Sequence, residues 1–179
     1  MRFHGRGGQG AVTSAEILAQ AAILEERYAQ AFPSFGPERR GAPVVAFCRI
    51  DNKPIRMRTN INNPDIVIVL DPSLVHIVNV YAGLKESGTL IINTKNEPQH
   101  FKKDDIVKVA TVNATKIALE TLKLPITNTT MLGALVKVTG VVGVDALTAA
   151  VEQRFGKNAP VNLNALDRAF KETIILNGQ

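Results

Sequence analysis

The stretch "HGRGGQG", residues 4–10, sets Gly5, Gly7, Gly8 and Gly10 around Arg6 and Gln9, just ahead of an amphipathic run. Read from Gly5, it satisfies G-x-G-x-x-G in full and the first part of G-x-x-x-x-G-K-[ST]. Glycines at a strand-to-helix turn let backbone N–H groups approach a phosphate at a helix N-terminus, where the dipole favours negative charge. Each specialised version demands more. The dinucleotide form needs an acid about twenty positions on, at the end of a second strand. Here that position falls in "YAQAFPSFGPERRG", which does not read as a strand and whose only acid, Glu38, adjoins two arginines. The triphosphate form needs Lys and then Ser or Thr, where this chain has Ala11 and Val12. Two readings survive: a generic anion cradle with Arg6 and Gln9 inside it, or a tight turn whose glycines only permit close helix–sheet packing.

Arg39 and Arg40, in "GPERRGAP", are the second chemical feature. Two guanidiniums in a Gly/Pro-stiffened loop suit bidentate recognition of phosphate or carboxylate. The alternative is a surface loop in which Glu38 pairs with one of them. From Glu38 to Arg58 six cations face two acids, a local net of +4 within an overall +5. Such a cluster fits an anionic ligand, a nucleic acid or an acidic partner, or else a solvated basic face. Nucleic acid is disfavoured, because seven Phe, two Tyr and no Trp leave little to stack bases on, and Phe32 and Phe35 make no platform.

Other chemistry is sparse. Cys48 is the sole cysteine, which excludes an internal disulfide and a Cys-ligated cluster or zinc site. His4, His76 and His100 lack ligand spacing, and no Ser/His/Asp set is evident. No catalytic set and no metal site is therefore expected. Asp71, at the carboxyl end of a predicted central strand, is the best-placed carboxylate, since ligands bind at that edge of open sheets; a helix cap is the competing role. "NTTMLG", residues 128–133, reads as a cap by Asn128 or Thr129 or as the lining of a site.

The elements that must position these residues alternate between short apolar strands and helical stretches. Strands are expected at 1–4, 44–51, 65–71, 88–94 and 106–113, with "IRMRT" (55–59) as a hairpin partner of the second. Helices are expected at 11–28, 73–85, 114–122, 129–139, 144–155 and 163–174, the last capped by Asn162 or Asn164. "FPSFGPERRGAP" reads as an exposed functional loop. The result is one α/β domain over 1–179: an open, mostly parallel, three-layer Rossmann-like sheet with helices on both faces and a helical C-terminal section. A 45% hydrophobic and 21% charged composition is that of a soluble globular protein. With no apolar run near bilayer length and no secretory leader, a cytoplasmic location without membrane contact is expected.

"RFHGRGGQGAVT", "YAQAFPSFGPERRGAPVVAFCRID", "PDIVIVLDPSL", "NATKIALE" and "NTTMLGALVKVTG", in that order, resemble the gamma subunits of pyruvate:ferredoxin oxidoreductases, of the 2-oxoacid:ferredoxin oxidoreductase family. The match runs from Arg2 to about Gly143, and the C-terminal helices match only in character. The resemblance implies alpha, beta and delta partner subunits, on which thiamine diphosphate, Mg²⁺ and [4Fe-4S] clusters sit. They decarboxylate a 2-oxoacid oxidatively, coenzyme A accepts the acyl group and ferredoxin the electrons. This chain alone would hold no cofactor and show no activity. Gly5, Arg6, Gly7, Gly8, Gln9 and Gly10 with Arg39 and Arg40 would contact coenzyme A or the nearby thiamine site. A branched-chain 2-oxoacid (2-ketoisovalerate) enzyme, a purely scaffolding subunit and an autonomous nucleotide-binding enzyme are the alternatives.

Overall fold

A computed structural model describes residues 1–34, 41–103 and 108–177. Arg39 and Arg40, with the rest of 35–40, lie outside the described residues. Seven strands form one open sheet: β1 (Arg2–Arg6), β2 (Tyr28–Pro33), β3 (Pro43–Asp51), β4 (Ile66–Val69), β5 (Thr89–Asn93), β6 (Lys108–Val112) and β7 (Ile174–Asn177), in the order β2-β3-β1-β4-β5-β6-β7. β1, β4, β5 and β6 pair in parallel, whereas β3 runs antiparallel to both β1 and β2, and β7 to β6. The mostly parallel α/β class is as the sequence predicts.

One face of the sheet carries the main core. Helices α1 (Ala11–Leu24), α3 (Ala114–Thr121), α4 (Asn128–Thr139), α5 (Val144–Phe155) and α6 (Ala159–Glu172) cover it, packing Leu18, Ile117, Leu132 and Leu147 over Phe3, Ile68 and Ile91. α4 is apolar nearly all round because it is buried nearly all round, between the sheet and α6. There Gly133 faces the carbonyl of Leu166 so closely that a Cβ would sit 2.1 Å from it. The opposite face has a thinner cover: α2 (Leu74–Ile77), turns bearing Val80 and Leu84, and a 3-10 turn at Pro98–Phe101, over Val67, Val69, Leu90 and Ile92.

Several expectations need correction. α1 stops at Leu24 instead of running to 28. Glu26 takes a left-handed φ of 60°, its N–H donates to Ile23 O and the Arg27 N–H to Ala22 O. This is the usual helix-ending loop, with Glu where glycine is usual. The chain then enters β2, which the sequence reading missed. Residues 55–59 form no strand, because β1 and β2 already occupy both edges of β3. The helix expected at 73–85 is one turn long. Val78 is extended, Asn79 Oδ1 closes a turn by accepting from Tyr81 N, and Arg2 Nη2 donates to Val80 O and Ala82 O. α6 begins at Ala159, with Pro160 in its first turn, so Asn162 and Asn164 lie inside it and do not cap it. β7 follows α6 and was also missed.

Candidate functional site: a glycine loop at the carboxyl edge

The loop between β1 and α1 lies at the carboxyl end of the parallel strands and is held largely by its own side chains. Gln9 Oε1 accepts from Arg6 N at 2.8 Å, and Gln9 Nε2 donates to Asp71 Oδ2 at 2.7 Å. Arg6 reaches Asp71 Oδ2 at 3.2 Å, Gly41 O at 3.0 Å and Ser73 Oγ at 2.7 Å. Asp71 Oδ1 accepts from the Ser73 N–H at 2.9 Å and from its hydroxyl. Ser73, not Asp71, is the N-cap residue of α2; Asp71 closes a turn onto Ser73 and is the post to which the loop is tied. Burial alone would raise its pKa. Hydrogen bonds from Ser73 and Gln9 and the charge of Arg6 outweigh that, and hold the carboxyl below its ordinary value.

Two glycines have backbone reasons to be glycine. Gly8 and Gly10 have φ of 96° and 82°, and Gly10 is the residue on which α1 starts. A Cβ on Gly10 would lie 2.9 Å from Asn128 Nδ2, so the start of α1 abuts the start of α4. Ser14 Oγ lies 3.0 Å from Gly10 O, to which it donates, and 3.4 Å from Asn128 O. The N-cap, Gly10, has no side chain to cap α1. Among the described residues, the N–H groups of Gly8 and Gly10 have no acceptor. Those of the first turn of α1 have none within the helix by construction.

These donors border a cavity of about 500 Å³. Gly8, Gly10 and Asn128 form one side; Leu122, Leu124 and Val161 form an apolar wall, with Arg154 at the rim. Asn93 Nδ2 donates to Leu70 O at 2.7 Å and to Thr115 Oγ1 at 2.8 Å, tying the strand ends to α3. Thr129 Oγ1 donates to Asn162 Oδ1 at 2.9 Å, fixing α4 against α6. The sequence reading singled out Gly8, Gly10 and Asn128. It missed Ser14, Asn93 and the apolar wall, for which a single sequence carries no signal until α3, α4 and α6 are brought together. Asn128 does not cap α4 in the usual way, since its Oδ1 accepts from the adjacent Thr129 N–H at 2.8 Å.

The remaining titratable candidates sit apart. His4 is buried, accepts from Arg2 Nε at 2.9 Å, and is pushed down to about 4 by burial and by the Arg2 charge. Cys48 is buried, and its thiol is pushed up to about 12. Among the described residues, no group of three or more His, Cys, Asp or Glu could hold a metal ion, and no helix is long and apolar enough to cross a membrane.

Residues 1–172 match the family model described as pyruvate ferredoxin/flavodoxin oxidoreductase. The pyruvate/ketoisovalerate oxidoreductases common subunit gamma of Thermococcus litoralis is 55% identical, over 98% of this chain and 97% of its own. The crystal structure of pyruvate oxidoreductase subunit PORC from Thermotoga maritima is 39% identical, with a TM-score of 0.85 over 97% of this chain and 96% of that one. A 2-oxoglutarate:ferredoxin oxidoreductase from Magnetococcus marinus, solved with 2-oxoglutarate, coenzyme A and succinyl-CoA bound, shares the fold at 18% identity. Its TM-score is 0.77, over 94% of this chain and 29% of that longer one.

Proposed function

The chain belongs to the pyruvate ferredoxin/flavodoxin oxidoreductase family, as a gamma-type subunit, and from that premise we propose that its glycine loop helps hold coenzyme A in the assembled enzyme. The whole of 1–179 acts in this reading as one α/β domain in the cytoplasm. Alpha, beta and delta subunits supply thiamine diphosphate, Mg²⁺ and the iron–sulfur clusters, and ferredoxin takes the electrons. The bound thiamine cofactor and clusters supply the decarboxylation and redox chemistry; this chain binds and orients.

The observation that carries the reading is the division of labour in the loop. Arg6, Gln9 and Asp71 bond to one another, so their charges are matched internally. The main-chain N–H groups of Gly8 and Gly10 meet no acceptor among the described residues, at the start of α1 and beside an apolar wall. Main-chain donors at a helix N-terminus suit the phosphates of coenzyme A, and the wall suits its less polar arm. Arg39 and Arg40, next in sequence to Gly41, add charge-assisted bonds to the same anion. Holding the thiol-bearing ligand at this edge contributes by proximity and needs no reactive side chain here. The coenzyme A-bound enzyme of the same fold supports the reading by analogy of fold.

The Thermococcus relative favours a second reading as well. It is named as common to pyruvate and ketoisovalerate enzymes, which fits a subunit that does not select the 2-oxoacid.

Co-expression of the chain with its partner subunits tests both parts. An Arg39→Ala/Arg40→Ala enzyme should assemble, keep its KM for the 2-oxoacid and show a KM for coenzyme A raised about tenfold or more, the equivalent of roughly 1.4 kcal/mol. Failed assembly, with unchanged coenzyme A kinetics in whatever complex still forms, would make the pair an interface element instead.

A further inference from the structure

A second cavity lies at the other end of the sheet from the glycine loop. It encloses about 910 Å³ beside Met1, where β1 begins, whereas the loop lies where β1 ends. A strap, residues 52–63, forms much of its wall and joins β3 to β4 without helix or strand. The strap is pinned at intervals: Lys53 N donates to Asp51 Oδ1 at 3.2 Å, and Arg49 Nη2 donates to Thr59 O at 2.6 Å. Near its far end Asn62 packs against Gly83, where a Cβ would lie 2.0 Å from Asn62 O.

Charge is distributed unevenly here. Arg27 donates to Val141 O, Arg49 to Gln30 and Thr59, and Lys85 to Asp65. Lys53, Arg56 and Arg58, all exposed on the strap, pair with no acid among the described residues. The N–H groups of residues 55–63 likewise meet no acceptor among those residues. Between the cations stands Met57, 64% exposed.

We propose that this strap and the cavity beside it dock an extended, acidic segment of a partner subunit. Carboxylates would meet Lys53, Arg56 and Arg58, carbonyls of an extended chain would accept from the strap's unpaired N–H groups, and an apolar side chain would cover Met57. A nucleic acid fits less well, because no aromatic side chain lines the cavity. The cavity is also far larger than a small inorganic anion needs. The inference rests on the partner subunits that family membership implies, and it is independent of the coenzyme A reading.

The test uses the full chain co-expressed with its partner subunits, with Met57→p-benzoylphenylalanine as a photo-crosslinker and mass spectrometry of the product. A cross-link to an Asp/Glu-rich segment of one partner subunit is expected. In parallel, Lys53→Glu/Arg56→Glu/Arg58→Glu should cut the yield of assembled enzyme at least tenfold, while leaving the melting temperature of the separately purified chain unchanged. Lys53→Arg/Arg56→Lys/Arg58→Lys should assemble as wild type. A cross-link to a second copy of this chain, to nucleic acid, to a segment without acids or to nothing overturns the proposal, as does normal assembly of the charge-reversed variant. An unchanged KM for coenzyme A in the complex that does form keeps this result separate from the loop's.

Discussion

Arg6 and Gln9 stand inside a glycine loop, where residue type suggests anion ligands, and the structure bonds both to Asp71 and to the loop itself. Which donors remain open was not legible from the sequence, because Asp71 is 62 positions from Gln9. Removing the carboxylate should loosen the loop. The pKa of Asp71 is lowered, so its contribution to stability is present above the ordinary carboxyl range and is lost as pH falls through the lowered value. Asp71→Asn should flatten that acid limb in a urea-unfolding series. His4 acts at higher pH. Its native value is pushed down to about 4, so the unfolded chain binds the proton first, and stability falls as pH drops from the ordinary imidazole value towards about 4. Wild type should lose about 2 kcal/mol between pH 7 and pH 5 from this group. His4→Gln, which keeps an acceptor for Arg2, should lack that component.

The central parallel strands were legible, because buried strands read as unbroken apolar runs: Ile66–Val69 and Thr89–Asn93 lie inside the expected segments. Boundaries failed where tertiary contacts replaced local signals. Glu26 ends α1 in a conformation that usually announces itself by glycine, and β2, with no strongly alternating pattern, was absorbed into that helix and the following loop. β7 was hidden behind the apolar face of α6. Arg2 takes the carbonyls of Val80 and Ala82, which helps to explain why an apparently helical stretch yields a single turn. Helix packing supplies its own test. Gly133→Ala would set a methyl 2.1 Å from Leu166 O, forcing α4 from α6. That should cost about 1–3 kcal/mol, read as a lower urea midpoint with the secondary structure retained.

As a whole, the molecule presents two unlike ends: main-chain donors beside an apolar wall where β1 finishes, and where it starts a basic strap whose Lys53, Arg56 and Arg58 pair with no acid among the described residues. The basic stretch was visible as composition, but its division between the two ends was not, since Arg49 turns out to be bonded to Gln30 and Thr59 while Arg56 and Arg58 have no bonded partner among the described residues. A gamma-type subunit should be inactive alone and active in the complex, as turnover assays on each will show. The claim at the centre is that the loop receives a phosphate of coenzyme A, and Gly8 tests it best. A Cβ there meets no atom within 4 Å, and Asp and Asn bear a positive φ about equally well. The measurement is the KM for coenzyme A of assembled Gly8→Asp and Gly8→Asn enzymes. Gly8→Asp should raise it at least tenfold above Gly8→Asn, with the KM for the 2-oxoacid unchanged in both. Equal values for the two variants would contradict the claim.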